Sequence, residues 1–222
     1  GRGTSTLKVV IAEKLSGCEH IIIPDQIEVG TFIAAAAATR GELFLKPIVP
    51  EHLDALFALM EKIKLPYQVK DDVLHIMPNG SLKAFKLQTG PYPSFPTDCQ
   101  APFGVLATQA SGTTLIHDTM FEGRLGYINE LTKMGANATI CDPHRVLITG
   151  PTPLYGREIR SLDLRAGVTL VIAALIAEGQ TTIHDAQILD RGYYKWRERF
   201  QAIGAEIKTE MPKEVESLVR TI

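Results

Sequence analysis

Three runs of small apolar residues set the rhythm of the chain. The first contains Val29-Gly30-Thr31-Phe32-Ile33 and five alanines, Ala34 to Ala38. The second covers residues 99–110 and holds Ala101, Phe103, Val105, Leu106 and Ala107. The third covers residues 168–177. The first and third have no polar face, and a helix that is apolar all round must be buried on every side. A glycine closes each run (Gly41, Gly112, Gly179), and a strand pattern follows: Leu43-Phe44-Leu45, Thr113-Thr114-Leu115-Ile116 and Thr181-Thr182-Ile183. An acidic residue opens each: Glu28, Asp98 and Asp163. A second, amphipathic helix comes next each time, over residues 50–64, 121–134 and 190–203. Two of these end on a glycine and another strand, Gly135-Ala136-Asn137-Ala138-Thr139-Ile140 and Gly204-Ala205-Glu206-Ile207; in the first, Lys64 stands where the glycine would be.

Self-similarity at this spacing marks a repeat architecture. The pattern predicts an α/β fold of three repeated α/β units (23–90, 91–156 and 157–210) arranged around buried helices, with sheets and outer helices about them. The linkers repeat too. Val146-Leu147-Ile148-Thr149-Gly150 leads to Leu154-Tyr155-Gly156-Arg157-Glu158-Ile159, and Val9-Val10-Ile11 leads to Leu15-Ser16-Gly17-Cys18-Glu19-His20-Ile21. Residues 1–22 therefore read either as the tail of a preceding unit in a longer protein or as an N-terminal hairpin, with residues 1–5 a flexible lead-in. From Lys208 the composition turns charged, and residues 211–222 read as an exposed helix or frayed tail.

Composition changes little in this picture. A hydrophobic fraction of 45% suffices for a core, and a net charge of −2 gives no reason to expect nucleic acid or an anionic membrane as partner. Three widely spaced cysteines, Cys18, Cys99 and Cys141, make neither a disulfide framework nor a zinc pattern, which fits a reducing, cytoplasmic compartment. No apolar run is long enough to span a bilayer. The histidines do not cluster as metal ligands; His117 and His184 each fall five residues after a glycine, a repeated strand position.

Candidate chemistry gathers around Asp98. Pro91, Pro93 and Pro96 keep the approach extended, and Thr97-Asp98 offers side-chain oxygens to the first amides of the second buried helix. A plain helix cap explains Asp98 equally well on these grounds. Arg124 stands twelve residues after Gly112, and Arg191 twelve after Gly179; the matching residue of the first unit is Leu53. Arg165 lies two residues after Asp163. An arginine near a helix N-terminus is unfavourable unless it meets a carboxylate or an anion, though each alone could be a surface ion pair. Packed about a threefold pseudo-axis, the units would bring Asp98, Asp163, Arg124, Arg165 and Arg191 to one end, with the helix N-termini, as an anion site beside a carboxylate.

These residues also carry a family resemblance. Ile23-Pro24-Asp25-Gln26-Ile27-Glu28-Val29-Gly30-Thr31-Phe32, Phe95-Pro96-Thr97-Asp98-Cys99-Gln100-Ala101, Asp163-Leu164-Arg165-Ala166 and Leu189-Asp190-Arg191-Gly192-Tyr193 resemble the C-terminal half of the enolpyruvyl transferases, in particular those acting on UDP-N-acetylglucosamine. The match runs from about residue 7 to residue 210. The resemblance implies an inverse α/β barrel domain, one of two that face each other across a cleft. It implies transfer of an enolpyruvyl group from phosphoenolpyruvate to the 3-hydroxyl of UDP-N-acetylglucosamine, with release of phosphate, in peptidoglycan synthesis, and without a cofactor. It places Asp98 at that hydroxyl as candidate base, Met120 as a backbone contact to the nucleotide sugar, and Arg124, Arg165 and Arg191 around phosphoenolpyruvate and the cleft. The family's proton-donating cysteine loop and phosphoenolpyruvate lysine belong to the other domain and have no counterpart here. Cys99 follows the aspartate where methionine is usual and reads as a buried helix residue. Gly123 replaces a usual asparagine and Gly167 a common serine. A non-catalytic domain that binds a nucleotide sugar or a partner protein is the competing reading. The shikimate branch of the family fits less well, because its aspartate-containing motif is not recognisable around residues 162–166.

Overall fold

The computed structural model describes residues 5–11 and 13–209. Three buried helices form its centre: α1 (Gln26–Thr39), α3 (Thr97–Gln109) and α5 (Leu164–Ile176). Each packs on the other two. Small residues permit the close approach, since a Cβ on Gly30 of α1 would lie 2.7 Å from the Cys99 sulfur of α3. Every residue from Val29 to Ala38 is buried, so the alanine run has no solvent face.

Three sheets and three outer helices surround this centre. β1 (Leu43–Leu45), β2 (Tyr67–Lys70) and β3 (Val73–Ile76) form an antiparallel sheet in the order β1-β3-β2. β4 (Lys86–Gln88), β5 (Gly112–His117), β6 (Asn137–Asp142) and β7 (Arg145–Gly150) follow the order β4-β5-β7-β6. β4 is parallel to β5, and the other two pairs are antiparallel. β8 (Glu158–Arg160) and β9 (Thr182–His184) form a parallel pair. Outside lie α2 (Asp54–Ile63), α4 (Tyr127–Lys133) and α6 (Trp196–Ala202). The alternation of helix and strand predicted from the sequence is thus present in all three segments.

Several boundaries differ, each for a local reason. The second helices are shorter than their patterns. Residues 50–64 divide into a 3-10 turn, Pro50–His52, and α2. In residues 121–134 only α4 is α-helical, because the preceding amides bond to a side chain and Gly123 takes φ +76°. In residues 190–203, a 3-10 turn (Ala186–Arg191) ends at Gly192, and α6 begins only after Lys195 takes φ 46°. Residues 205–207 form no strand. Gly112 (φ +111°) and Gly179 (φ +89°) need positive φ, yet they are not helix caps, since α3 and α5 end on the extended residues Ala110 and Ala177. After α1 the left-handed residue is Arg40, and after α2 it is Lys64, the residue standing in for glycine.

The N-terminal segment carries no strand among its described residues, and Val9, Val10, Ile11, Leu15 and Ile21 are exposed. The expected tail beyond residue 210 lies outside the described residues.

Candidate active site

The N-termini of α3 and α5 open side by side. Three aspartates stand at or near the heads of the buried helices, and they behave differently. Asp25 caps α1, its Oδ1 accepting from the Ile27 amide at 2.8 Å. Asp163 caps α5, its Oδ1 accepting from the amides of Arg165 at 2.7 Å and Ala166 at 2.9 Å. Asp98 caps nothing. α3 begins one residue earlier at Thr97, with Pro96 in the cap position and no side-chain cap bond. This corrects the reading of Thr97-Asp98 as acceptors for the helix amides. It also replaces Glu28 by Asp25 as the acidic residue that opens the first helix; Glu28 instead pairs with Arg199.

Freed from capping, Asp98 receives two guanidinium groups. Arg124 Nη1 donates to Oδ1 at 2.7 Å, and Arg165 Nη2 donates to Oδ2 at 3.1 Å. The three side chains keep part of their surface in solvent: 31% for Asp98, 29% for Arg124 and 19% for Arg165. Each carboxylate oxygen therefore keeps a lone pair for a further donor. Arg124 also lies over the Phe121 ring, 4.8 Å from its centroid.

Arg165 is held from behind. Its Nη1 donates to the hydroxyl of Tyr193 at 3.2 Å, and its guanidinium lies 5.5 Å from the centre of that ring. The Tyr193 hydroxyl meets Thr31 Oγ1 at 2.9 Å. Thr31 Oγ1 donates its one hydrogen to the Ile27 carbonyl, so Tyr193 must donate to Thr31 and accept from Arg165. Burial acts to lower the Arg165 pKa, but Tyr193 and Asp98 outweigh it and hold the guanidinium above its ordinary value. Burial in turn raises the Tyr193 hydroxyl, against the opposing pull of Thr31 and Arg165. The chain from Thr31 through Tyr193 and Arg165 to Asp98 joins all three segments.

The remaining expected residues are placed less centrally. Met120 sits in the turn after β5; its amide donates to Asp118 Oδ1 at 2.9 Å and its side chain is partly exposed. Asp163 is exposed, one bend from Arg165. Arg191 ends the 3-10 turn after β9, exposed, with no ion pair among the described residues, and so does not join the Asp98 cluster. Cys99, directly behind Asp98, is fully buried, with its thiol toward the Ile27 carbonyl. Burial pushes that thiol far above its ordinary value; Arg165 opposes, and Asp98 and Asp25 reinforce. Gly123 adopts a left-handed conformation that asparagine also tolerates. Gly167 is a tighter case: a Cβ there would lie 2.3 Å from Ser161 Oγ and 2.4 Å from Leu189 Cδ1.

Two residues escaped the sequence reading. Tyr193 lay inside a recognised motif but had no role until its hydroxyl was found between two helices. Asp118 was not singled out at all, although it follows Gly112 by six residues as Asp185 follows Gly179. A depression of about 660 Å³ lies away from the Asp98 cluster, lined by residues such as Pro50, Phe57 and Tyr67. Among the described residues no group of three His, Cys, Asp or Glu side chains is placed to hold a metal ion, and no helix is long and apolar enough to cross a membrane.

Three segments of helix and strand about buried helices, with a carboxylate and two arginines at the helix heads, define a class that comparison with known proteins identifies. The family model for EPSP synthase (3-phosphoshikimate 1-carboxyvinyltransferase) matches residues 1–200, and the chain belongs to that enolpyruvyl transferase family. Within it, a UDP-N-acetylglucosamine 1-carboxyvinyltransferase of Koribacter versatilis is 45% identical over 208 residues, covering 94% of this chain and 48% of the relative. A protein of the same name from Geobacillus kaustophilus is 41% identical over 93% of this chain and 48% of its own length. The chain spans about half the length of the curated relatives it matches. Among solved structures, the enolpyruvyl transferase NikO from Streptomyces tendae superposes with a TM-score of 0.79 at 29% identity, over 86% of this chain and 45% of NikO. An EPSP synthase from Acinetobacter baumannii, at 19% identity and a TM-score of 0.65, shares the fold.

Proposed function

We propose that this chain forms one face of the active-site cleft of a UDP-N-acetylglucosamine enolpyruvyl transferase, a cytoplasmic enzyme of peptidoglycan synthesis. The observation that carries the reading is the convergence of Arg124 and Arg165 on Asp98 at the heads of α3 and α5. The names of the relatives at 41–45% identity supply the acceptor. In this reading Asp98 takes the proton of the sugar 3-hydroxyl as it attacks phosphoenolpyruvate. Its partly exposed oxygens, each already bonded to one guanidinium, keep a lone pair for that bond. The arginines balance the carboxylate and phosphate charge of phosphoenolpyruvate and of the leaving phosphate. Arg191, unpaired among the described residues, is free to reach an anion in the cleft. The Met120 amide is occupied by Asp118, so Met120 meets the nucleotide sugar through its carbonyl. Asp163 orders the head of α5 and so the backbone of Arg165.

The division into units 23–90, 91–156 and 157–210 belongs to the same reading, with the second and third units supplying the cluster. A cleft needs its opposite wall, and reacting groups positioned from both sides; the partner is the other domain of the full-length protein. The test is phosphate release from phosphoenolpyruvate and UDP-N-acetylglucosamine. The full-length protein should turn over, and residues 1–222 alone should not. Turnover by the isolated chain that survives further purification, or none by the full-length protein, overturns the reading.

A further inference from the structure

Asp118 is a fully buried carboxylate that the proposed chemistry does not use. It follows β5, beside Thr89 at the end of the neighbouring parallel strand β4, where Thr89 N donates to His117 O. Its Oδ1 accepts from Thr89 Oγ1 at 3.0 Å and from the amides of Met120 at 2.9 Å and Phe121 at 3.3 Å. Its Oδ2 accepts a short hydrogen bond from Thr97 Oγ1. Its backbone is pinned as well, donating to His144 O and accepting from His144 Nδ1.

Two of these anchors bear directly on the site. Thr97 is the first residue of α3, next to Asp98. Met120 and Phe121 begin the turn that carries Arg124. One buried carboxylate thus holds the chain on both sides of the Asp98–Arg124 ion pair, through the Thr97 side chain on one and the Met120 and Phe121 amides on the other. We propose that Asp118 is a positioning residue: it sets Arg124 against Asp98 and presents the Met120–Arg124 turn, without itself touching substrate.

The third unit serves as an internal control. Asp185 is the residue equivalent to Asp118, six after Gly179, and Ser161 N bonds His184 O as Thr89 N bonds His117 O. Asp185, however, is 51% exposed and pairs with Arg160 instead of backbone amides. In that unit the equivalent arginine, Arg191, has no ion pair among the described residues. Where the aspartate is buried and anchors the turn, the arginine is delivered to a carboxylate; where it is exposed, the arginine is not.

This inference rests on the transferase reading for its kinetic arm alone. In the full-length protein, Asp118→Asn and Thr97→Val each remove part of the anchor, and Thr97→Ser keeps the hydroxyl. The expected result for either disruptive variant is a fall in kcat/KM on the order of a hundredfold per folded molecule, the scale of a small misplacement of catalytic groups. Thr97→Ser should stay near wild type. Combining Asp118→Asn with Arg124→Ala should cost less than the two single losses together, since the first acts largely through the second. A merely structural Asp118 would lower the melting temperature and leave kcat and KM per folded molecule unchanged; that result, or single-variant kinetic losses that add fully in the double variant, overturns the proposal. Should Asp118→Asn fail to fold, Thr97→Val decides alone. A crystal structure of the Thr97→Val protein provides the arm independent of activity: the Asp98–Arg124 contact should be lost, and its retention at 2.7 Å refutes the proposal even if the wild type turns over a different substrate.

Discussion

Asp98 and Arg165 lie 67 residues apart in the sequence and 3.1 Å apart in the fold. Their contact is made by placing the head of α5 against the head of α3. A partly exposed pair of this kind contributes only about 0–1 kcal/mol to stability. Two arginines on one carboxylate, a proline-stiffened lead-in and a tyrosine held between helices are more organisation than that return explains. The arrangement fits the proposed role, in which the carboxylate meets a hydroxyl and the arginines an anion.

Replacing Asp98 by alanine in the full-length protein should lower the single-turnover rate by about 10²–10⁴, the usual loss of a general base. Because Asp98 does not cap α3, the characteristic cap penalty of about 0.5–2 kcal/mol should not appear in the melt. A lower melting temperature with a normal rate per folded molecule would refute the assignment.

Tyr193→Phe deletes one oxygen from the line that joins Thr31 to Arg165. A lost buried hydrogen bond costs about 0.5–1.5 kcal/mol, and Arg165 loses its rear support. We expect a small drop in melting temperature with a rise in KM for phosphoenolpyruvate. Thr31→Val should reproduce part of the stability loss with less effect on KM, because Tyr193 can still accept from Arg165. Denaturant melts and steady-state kinetics on both variants check the pair.

Thiol chemistry should separate the cysteines. Cys18 and Cys141 are exposed and Cys99 is buried. In native protein near neutral pH a thiol reagent should label the first two quickly and Cys99 only on unfolding. The Cys99 thiol is raised by burial, so the fold favours its neutral form. That contribution is complete below the unfolded thiol pKa of about 8.5 and is lost as pH climbs beyond it. Tyr127 and Tyr193, also raised by burial, act with the same sign above about pH 10. Stability should therefore decline on the alkaline side, and a Cys99→Ala protein should decline less between pH 8.5 and 10. Equilibrium melts across that window read the difference.

Gly30→Ala should destabilise the chain despite the better helix propensity of alanine, since its Cβ would sit 2.7 Å from the Cys99 sulfur. Overpacking of this sort costs about 1–3 kcal/mol. Combined with Cys99→Ala, which removes the sulfur, the penalty should fall well below the sum of the single changes. Additivity in urea melts would mean that the two helices do not meet as described.

The sequence by itself determined the repeat and the buried helices. An alanine run with no polar residue can only be enclosed, and Gly112, Gly135, Gly179 and Gly204 stand where the backbone needs positive φ. It also determined which residues to watch: Asp98, Arg124 and Arg165 were legible because charge near a helix N-terminus requires a partner. Local pattern could not say which aspartate is a cap, because Asp25, Asp98 and Asp163 differ only in whether their helix begins one residue before or after them. It overestimated the helix over residues 121–134, since periodicity is blind to a buried carboxylate that captures amides before the helix can use them. It grouped Arg191 with Arg124 because both follow a glycine by twelve residues, yet only one turn is anchored. Those outcomes depend on bonds between groups far apart in the chain, such as Thr97 with Asp118 and Thr31 with Tyr193. Such bonds exist only after three helices have packed, and only the tertiary structure could decide them.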